Sequence, residues 1–154
     1  MAEIKSLTGA GWLKDADDNF QSLKSLAGLH VTPFVFDTAE NDAGDTPASN
    51  KTVAAHPLAV TIPDNAIVIG GSIDVIAAVT SDGSATVAIS LVAANDLLTA
   101  TAKASLGIKA QKPLAAVIAQ PIKLEEEKAV TVTVGTAALT AGKINGYIIW
   151  MEGE

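Results

Sequence analysis

The side chains able to do acid–base, nucleophilic or metal chemistry are scarce in this chain. His30 and His56 are its two imidazoles. Neither stands in an HExxH or other metal-ligand spacing, and His56 precedes Pro57 inside a strand-like run, so a structural or exposed histidine is expected at both positions. Cysteine is absent, which removes any thiol nucleophile, thiolate metal site or disulfide. No GxSxG elbow presents a serine.

The carboxylates group without forming a recognisable site. Asp15, Asp17 and Asn19 fill the first alternating positions of an EF-hand loop, but Phe20 stands where that loop requires glycine and Leu26 where it requires glutamate. Asp37, Glu40, Asp42 and Asp45 punctuate a polar segment that would have to fold round a cation to bind one; a solvated loop is the simpler reading. Glu125, Glu126 and Glu127 read as an exposed turn. Gly135 to Lys143 has the glycine and lysine of a phosphate loop, but the glycine spacing is wrong and Ile144 replaces the magnesium-binding Ser or Thr. A pair of carboxylates for glycoside hydrolysis would lack sugar-stacking platforms, because aromatics are only 4% of the chain. The residues thus nominate no catalytic centre, no metal and no cofactor.

Charge narrows the partners. The chain of 154 residues carries a net charge of −7, and all ten basic residues are lysines. Without arginine, the usual fork for phosphate, carboxylate and guanine, it is poorly suited to nucleic acid or an anionic membrane surface. The first twenty residues contain no continuous apolar core of an export signal. No run approaches the roughly 20 apolar residues of a membrane-spanning helix.

The elements read as strands. Val130, Val132 and Val134 alternate with Thr131 and Thr133; after a small-residue segment, Ile144, Ile148 and Trp150 alternate with Asn145 and Tyr147. Earlier strands are expected at Val31 to Asp37, with Pro33 marking an edge, and at Thr52 to Ile62, with Leu58, Val60 and Ile62 on one face. Ala66 to Thr80 is a long strand with Ile67, Ile69, Ile73, Val75 and Val79 on one side if its register is unbroken, and with a bulge suggested at Gly70-Gly71. Ser81 to Ser84 reads as a hairpin turn leading into Ala85 to Val92, with Ala85, Val87, Ile89 and Leu91 inward. Ala93 to Leu106 is the one helical candidate of the body, capped by Asn95 and ended by Gly107, with a loop carrying one helical turn as the equal alternative. Leu114 to Ile122 reads as a further strand. Asp37 to Lys51 is a polar loop, mobile or interacting. Residues 1–30 differ: they hold Trp12, Phe20 and Leu23 and read as an irregular or partly helical N-terminal arm, or else as a poorly patterned first strand pair. The expected fold is all-β, an antiparallel sandwich or jelly roll of about seven or eight strands over residues 31–154.

Residues 52–151 resemble the head decoration (cement) proteins of tailed bacteriophages. The resemblance lies in Ile62 to Ile67 (IPDNAI), Asp74-Val75, Asn95 to Leu98 (NDLL), and Thr140 to Trp150, which joins TAGK to a last aromatic-bearing strand. It implies a non-enzymatic structural virion protein, made in the host cytoplasm and placed on the capsid exterior. Such a protein clamps neighbouring major capsid subunits, commonly as a homotrimer. Trp12, Phe20 and Leu23 would then belong to a capsid-contacting arm. The alternative is a tail or neck accessory, or a host-glycan-binding sandwich module.

Overall fold

The computed structural model describes residues 28–43, 48–116 and 119–153. Trp12, Phe20, Leu23, the Asp15–Asn19 cluster and Asp45 lie outside them.

The described residues form nine strands: β1 (Leu29–Asp37), β2 (Ala55–Ile62), β3 (Ala66–Thr80), β4 (Thr86–Ser90), β5 (Leu98–Ala102), β6 (Gln111–Pro113), β7 (Ile122–Lys123), β8 (Lys128–Gly135) and β9 (Ala141–Glu152). They make two antiparallel sheets. One runs β1-β9-β3-β6, with β7 also paired to β3; the other runs β2-β8-β4-β5. This is the expected all-β sandwich. Its core is aliphatic, with Ile62, Val68, Ile73, Val75, Ile89, Val130, Val132, Ile144 and Ile148 at or near zero exposure, and Phe34 and Phe36 supply the aromatic bulk. Each such side chain contributes about 1.5–3 kcal/mol on burial, which stands in for the missing disulfides.

Several expectations change at this level. The strands β8 and β9 alternate as read, but they are not paired with each other: each is an inner strand of a different sheet, and Gly135 to Thr140 arches between the sheets. Ser81 to Ala85 is likewise an arch from β3 to β4 rather than a hairpin. The two arches brace one another. Ser81 Oγ donates to the Ala138 carbonyl at 2.6 Å, the Thr80 and Thr140 hydroxyls meet at 2.8 Å, and the Thr140 amide donates to Thr80 O at 2.8 Å.

The long strand β3 breaks phase. Ala66 and Val68 point inward, and after a register shift between Val68 and Gly70 the inward residues are Ile73, Val75 and Val79. Ile67 therefore lies on the opposite face from Ile73, and Ile69 is the extra residue of the bulge. Gly71 makes the bulge possible. Its φ is +154°, and a Cβ there would run into the Tyr147 carbonyl oxygen on β9 and come within 2.7 Å of Leu114 Cδ1, so only glycine fits.

The helical candidate becomes β5 followed by a 3-10 turn at Lys103–Ser105. Asp96 supplies the reason. Its carboxylate accepts the amides of Leu91, Val92 and Ala93 at 2.8–2.9 Å, which turns the chain back as an elbow. Asn95 occupies the left-handed region at φ 63° instead of capping a helix. Leu114 to Ile122 does not continue as one strand. The Leu114 amide bonds Gly71 O on β3, while the next amide, Ala115, bonds Leu97 O in the elbow. One stretch of backbone is thus shared between the two layers and closes that side of the sandwich.

Candidate assembly surface

Both histidines and two of the carboxylates singled out for chemistry, Asp37 and Asp42, are held in structural contacts. His56 is fully buried on β2, its ring 6.2 Å from that of Phe36. Its Nε2 lies 2.9 Å from the Thr52 carbonyl, and Nδ1 faces Asp42 Oδ2 at 3.5 Å. The second Asp42 oxygen accepts the Ala48 amide at 2.6 Å. An imidazole beside a carboxylate is half of an acid–base triad, but Nε2, the atom that would take a proton from a nucleophile, is committed to main chain. His56 is a structural histidine that ties β2 to the loop before it.

That loop is better anchored than its composition suggests. The Asn50 amide side chain donates to Asp37 O at 2.9 Å, its backbone amide donates to Glu40 O, and the Leu139 amide donates to Lys51 O. Asp37 accepts the Ala39 amide and pairs with Lys143 at 3.0 Å. The Ala39 amide first, and then the lysine, hold the Asp37 carboxyl below its ordinary range, and the same pair raises Lys143. Among the described residues no three His, Asp or Glu side chains gather to hold a metal ion. Glu126 is exposed and pairs with Lys128.

His30 belongs to β1, which begins two residues before the expected strand. Its ring stacks on Trp150 at 4.2 Å, Trp150 Nε1 donates to Thr32 Oγ1 at 2.8 Å, and Nε2 of His30 lies 3.3 Å from Glu152. The cluster pins the start of β1 to the end of β9.

What remains is surface, and the two outer faces differ. On the β2-β8-β4 face the outward residues are small and uncharged, among them Ala55, Thr61, Ala129, Thr131, Thr133 and Thr86. On the β1-β9-β3 face large apolar side chains cluster along β1 and its β9 neighbours, with Ser72, Asp74 and Asn145 polar beside them. Leu29, Val31, Val35 and Tyr147 are between 43% and 63% exposed, four of the eight exposed large hydrophobic residues described. Register places them together: Leu29 faces Met151, which faces Ile67 on the other side; Val31 faces Ile149; Pro33 faces Tyr147; Val35 faces Asn145. Beside Tyr147 lies a shallow hollow of about 220 Å³ bordered by Ser72, Asp74, Gln111 and Asn145. A second, open groove of about 470 Å³ runs between β1 and β2, where Phe34, Val35, Leu58 and Val60 meet the anchored loop. Sequence reading identified Tyr147 and Asn145 as outward-facing, but not the patch, because its members come from three strands brought together by pairing.

No protein-family model matches the sequence, and no curated protein matches it. Solved structures do share the fold. A chain of the cyanophage Pam1 capsid asymmetric unit aligns with TM-score 0.57 at 15% identity, covering 80% of this chain and 84% of that one. A chain from the acid-stable capsid of Helicobacter pylori bacteriophage KHP30 aligns with TM-score 0.55 at 16% identity, covering 82% and 89%. A chain from the capsid of Ralstonia phage GP4 aligns with TM-score 0.54 at 17% identity, covering 81% and 86%. This chain is similar in fold, over most of its length, to chains found in phage capsids.

Proposed function

We propose that this protein is a structural component of a phage capsid, a decoration (cement) protein that binds the outer capsid surface and clamps neighbouring major capsid subunits. The observation that carries the reading is the shared sandwich fold with chains of three phage capsids, each covered over more than four-fifths of its length. Two features support it. His30, His56, Asp37 and Asp42 are held in contacts that serve the fold, which favours function carried by surface. The exposed apolar cluster of Leu29, Val31, Val35 and Tyr147 on one sheet face is also the kind of surface that marks assembly.

In this reading residues 1–30 supply the capsid contact. Trp12, Phe20 and Leu23 act as apolar anchors, since aromatic side chains seated in pockets dominate interface energetics. The virion exterior tolerates the net charge of −7. The assembly is a homo-oligomer, a trimer. The test is to mix purified protein with undecorated heads: binding and a gain in particle heat stability are expected. Neither appearing would refute the cement role.

A further inference from the structure

We propose that His56 and Asp42 form a pH-sensitive latch. The buried imidazole, in its charged form, holds the loop between β1 and β2 against the sandwich, and loss of its second proton frees that loop. The inference goes beyond the capsid reading and does not depend on it.

Both ring nitrogens face acceptors. Nε2 lies 2.9 Å from the Thr52 carbonyl, which can only accept, so a hydrogen bond there needs a proton on Nε2. Nδ1 faces Asp42 Oδ2 at 3.5 Å and has no hydrogen-bond partner. The ring is fully buried, where a bare polar atom is costly. A neutral ring protonated at Nε2 turns its Nδ1 lone pair toward a carboxylate oxygen, acceptor against acceptor. The other neutral tautomer makes the same conflict at Thr52. The imidazolium donates from both nitrogens and meets an acceptor at each. The form that satisfies the site is therefore the one that histidine loses as pH rises.

Asp42 carries the contact into the loop. Its amide donates to the Ala48 carbonyl at 3.0 Å, and its other carboxylate oxygen accepts the Ala48 amide at 2.6 Å. The Asn50 amide donates to Glu40 O, and Asn41 bridges Ser49, so these residues make a short antiparallel ribbon. The Ala43 amide docks that ribbon on the Pro57 carbonyl of β2 at 2.8 Å. The charged ring thus joins Thr52, near the end of the loop, to Asp42 in the ribbon. The other groups around it are uncharged: Phe36 on β1, Val132 opposite it on β8, and Ala55 and Pro57 on either side along β2. Of the remaining charged groups on the described part of the loop and its flanks, Asp37 is paired with Lys143, and Glu40 and Lys51 are exposed. The pair exists only while His56 is charged and Asp42 is ionised. Its contribution is present at mildly acidic pH and lost as pH rises and the second proton leaves. Glu40 to Ala43 form one wall of the groove between β1 and β2, so freeing the ribbon opens that groove.

NMR of the full chain tests the latch. In a His30→Gln background His56 is the one imidazole, and its ring nitrogens report their protons directly. The sample is titrated upward from about pH 5 until the ring is neutral. Loss of the Nδ1 proton should coincide with a fall of about tenfold in exchange protection at the Ala43 and Ala48 amides, the order expected for losing one charge-assisted hydrogen bond. The Ile148 amide, in the middle of β9, should stay protected. Asp42→Asn can donate its side-chain amide to Nδ1 of a neutral ring, so it should hold the loop equally at both ends of the titration. Melting followed by circular dichroism checks that each variant folds, and the ring measurement with Asp42 intact stands even if Asp42→Asn does not. A ring that carries a single proton throughout, protection at Ala43 and Ala48 that ignores the ring proton, or a pH profile unchanged in a folded Asp42→Asn overturns the inference.

Discussion

Gly146 and Phe34 face each other across β1 and β9, and the distal end of the Phe34 ring lies over the glycine. A methyl group at position 146 would run into Cζ of that ring and stand 2.6 and 2.8 Å from Cε1 and Cε2, about 1 Å or more inside van der Waals contact. Phe34 is 2% exposed and borders the groove between β1 and β2 on one side. Overpacking of this kind costs about 1–3 kcal/mol, and a clash with three ring atoms at once puts this case at the upper end. Alanine's conformational advantage over glycine within a strand returns about 0.5–1 kcal/mol. Gly146→Ala should therefore destabilise the fold by about 2 kcal/mol, a loss of roughly 4–8 °C in Tm for a domain of this size. Leucine lacks Cε1, Cε2 and Cζ, the three atoms in the way. In a Phe34→Leu background the added methyl should be close to neutral, leaving a coupling of about 2 kcal/mol between the two sites. Urea and thermal denaturation of the four proteins, followed by circular dichroism, measure this coupling. Strict additivity, or a neutral Gly146→Ala in the wild type, would refute the account of why glycine occupies a strand centre.

Asp96→Ala removes the acceptor of three amides at the β4–β5 elbow and should cost about 2–3 kcal/mol, visible as faster amide exchange at Leu91 to Ala93. The Asp37–Lys143 pair should show itself in acid. Because the folded-state pKa of Asp37 is depressed, its contribution is present above the unfolded carboxylate value and lost as pH falls through the folded one. Asp37→Asn should thus melt below the wild type at neutral pH, and the two curves should converge under acidic conditions; a gap that persists unchanged at low pH contradicts the pairing. His56→Leu leaves the Thr52 carbonyl without its partner and should cost about 1–3 kcal/mol in denaturant titration. Removing residues 1–27 should abolish head attachment and leave the melting temperature nearly unchanged. The cut belongs there rather than at residue 30, since His30 of β1 is stacked on Trp150.

The alternation of β-branched residues was enough, read along the chain, to place β1, β2, β3, β4, β8 and β9 and most of their inward residues. Period-two burial is a local property, dictated by each strand having one face away from water. The Pro63-Asp64-Asn65 link between β2 and β3 is also local in origin, since Asn65 takes the left-handed conformation, φ 58°, that such residues tolerate. The elbow Asn95 to Leu98 was noticed as a motif, but its role was not: Asp96 works by bonding amides three to five residues back, a geometry that propensity does not encode.

What only the tertiary structure decided is which sheet each strand joins. A strand shows the same alternation whichever neighbour it pairs with, so β8 and β9 read as one unit although an arch divides them between layers. The glycine beside the phase break, Gly71, is demanded by the carbonyl oxygen of Tyr147 on β9, far along the chain. The apolar outer face emerged only when pairing set Val31, Tyr147 and Ile67 on one surface. Composition set which reactive side chains the chain has, two histidines and no cysteine among them. Where its apolar side chains reach the surface is decided by register and layer, which are properties of pairs of strands and not of any one of them.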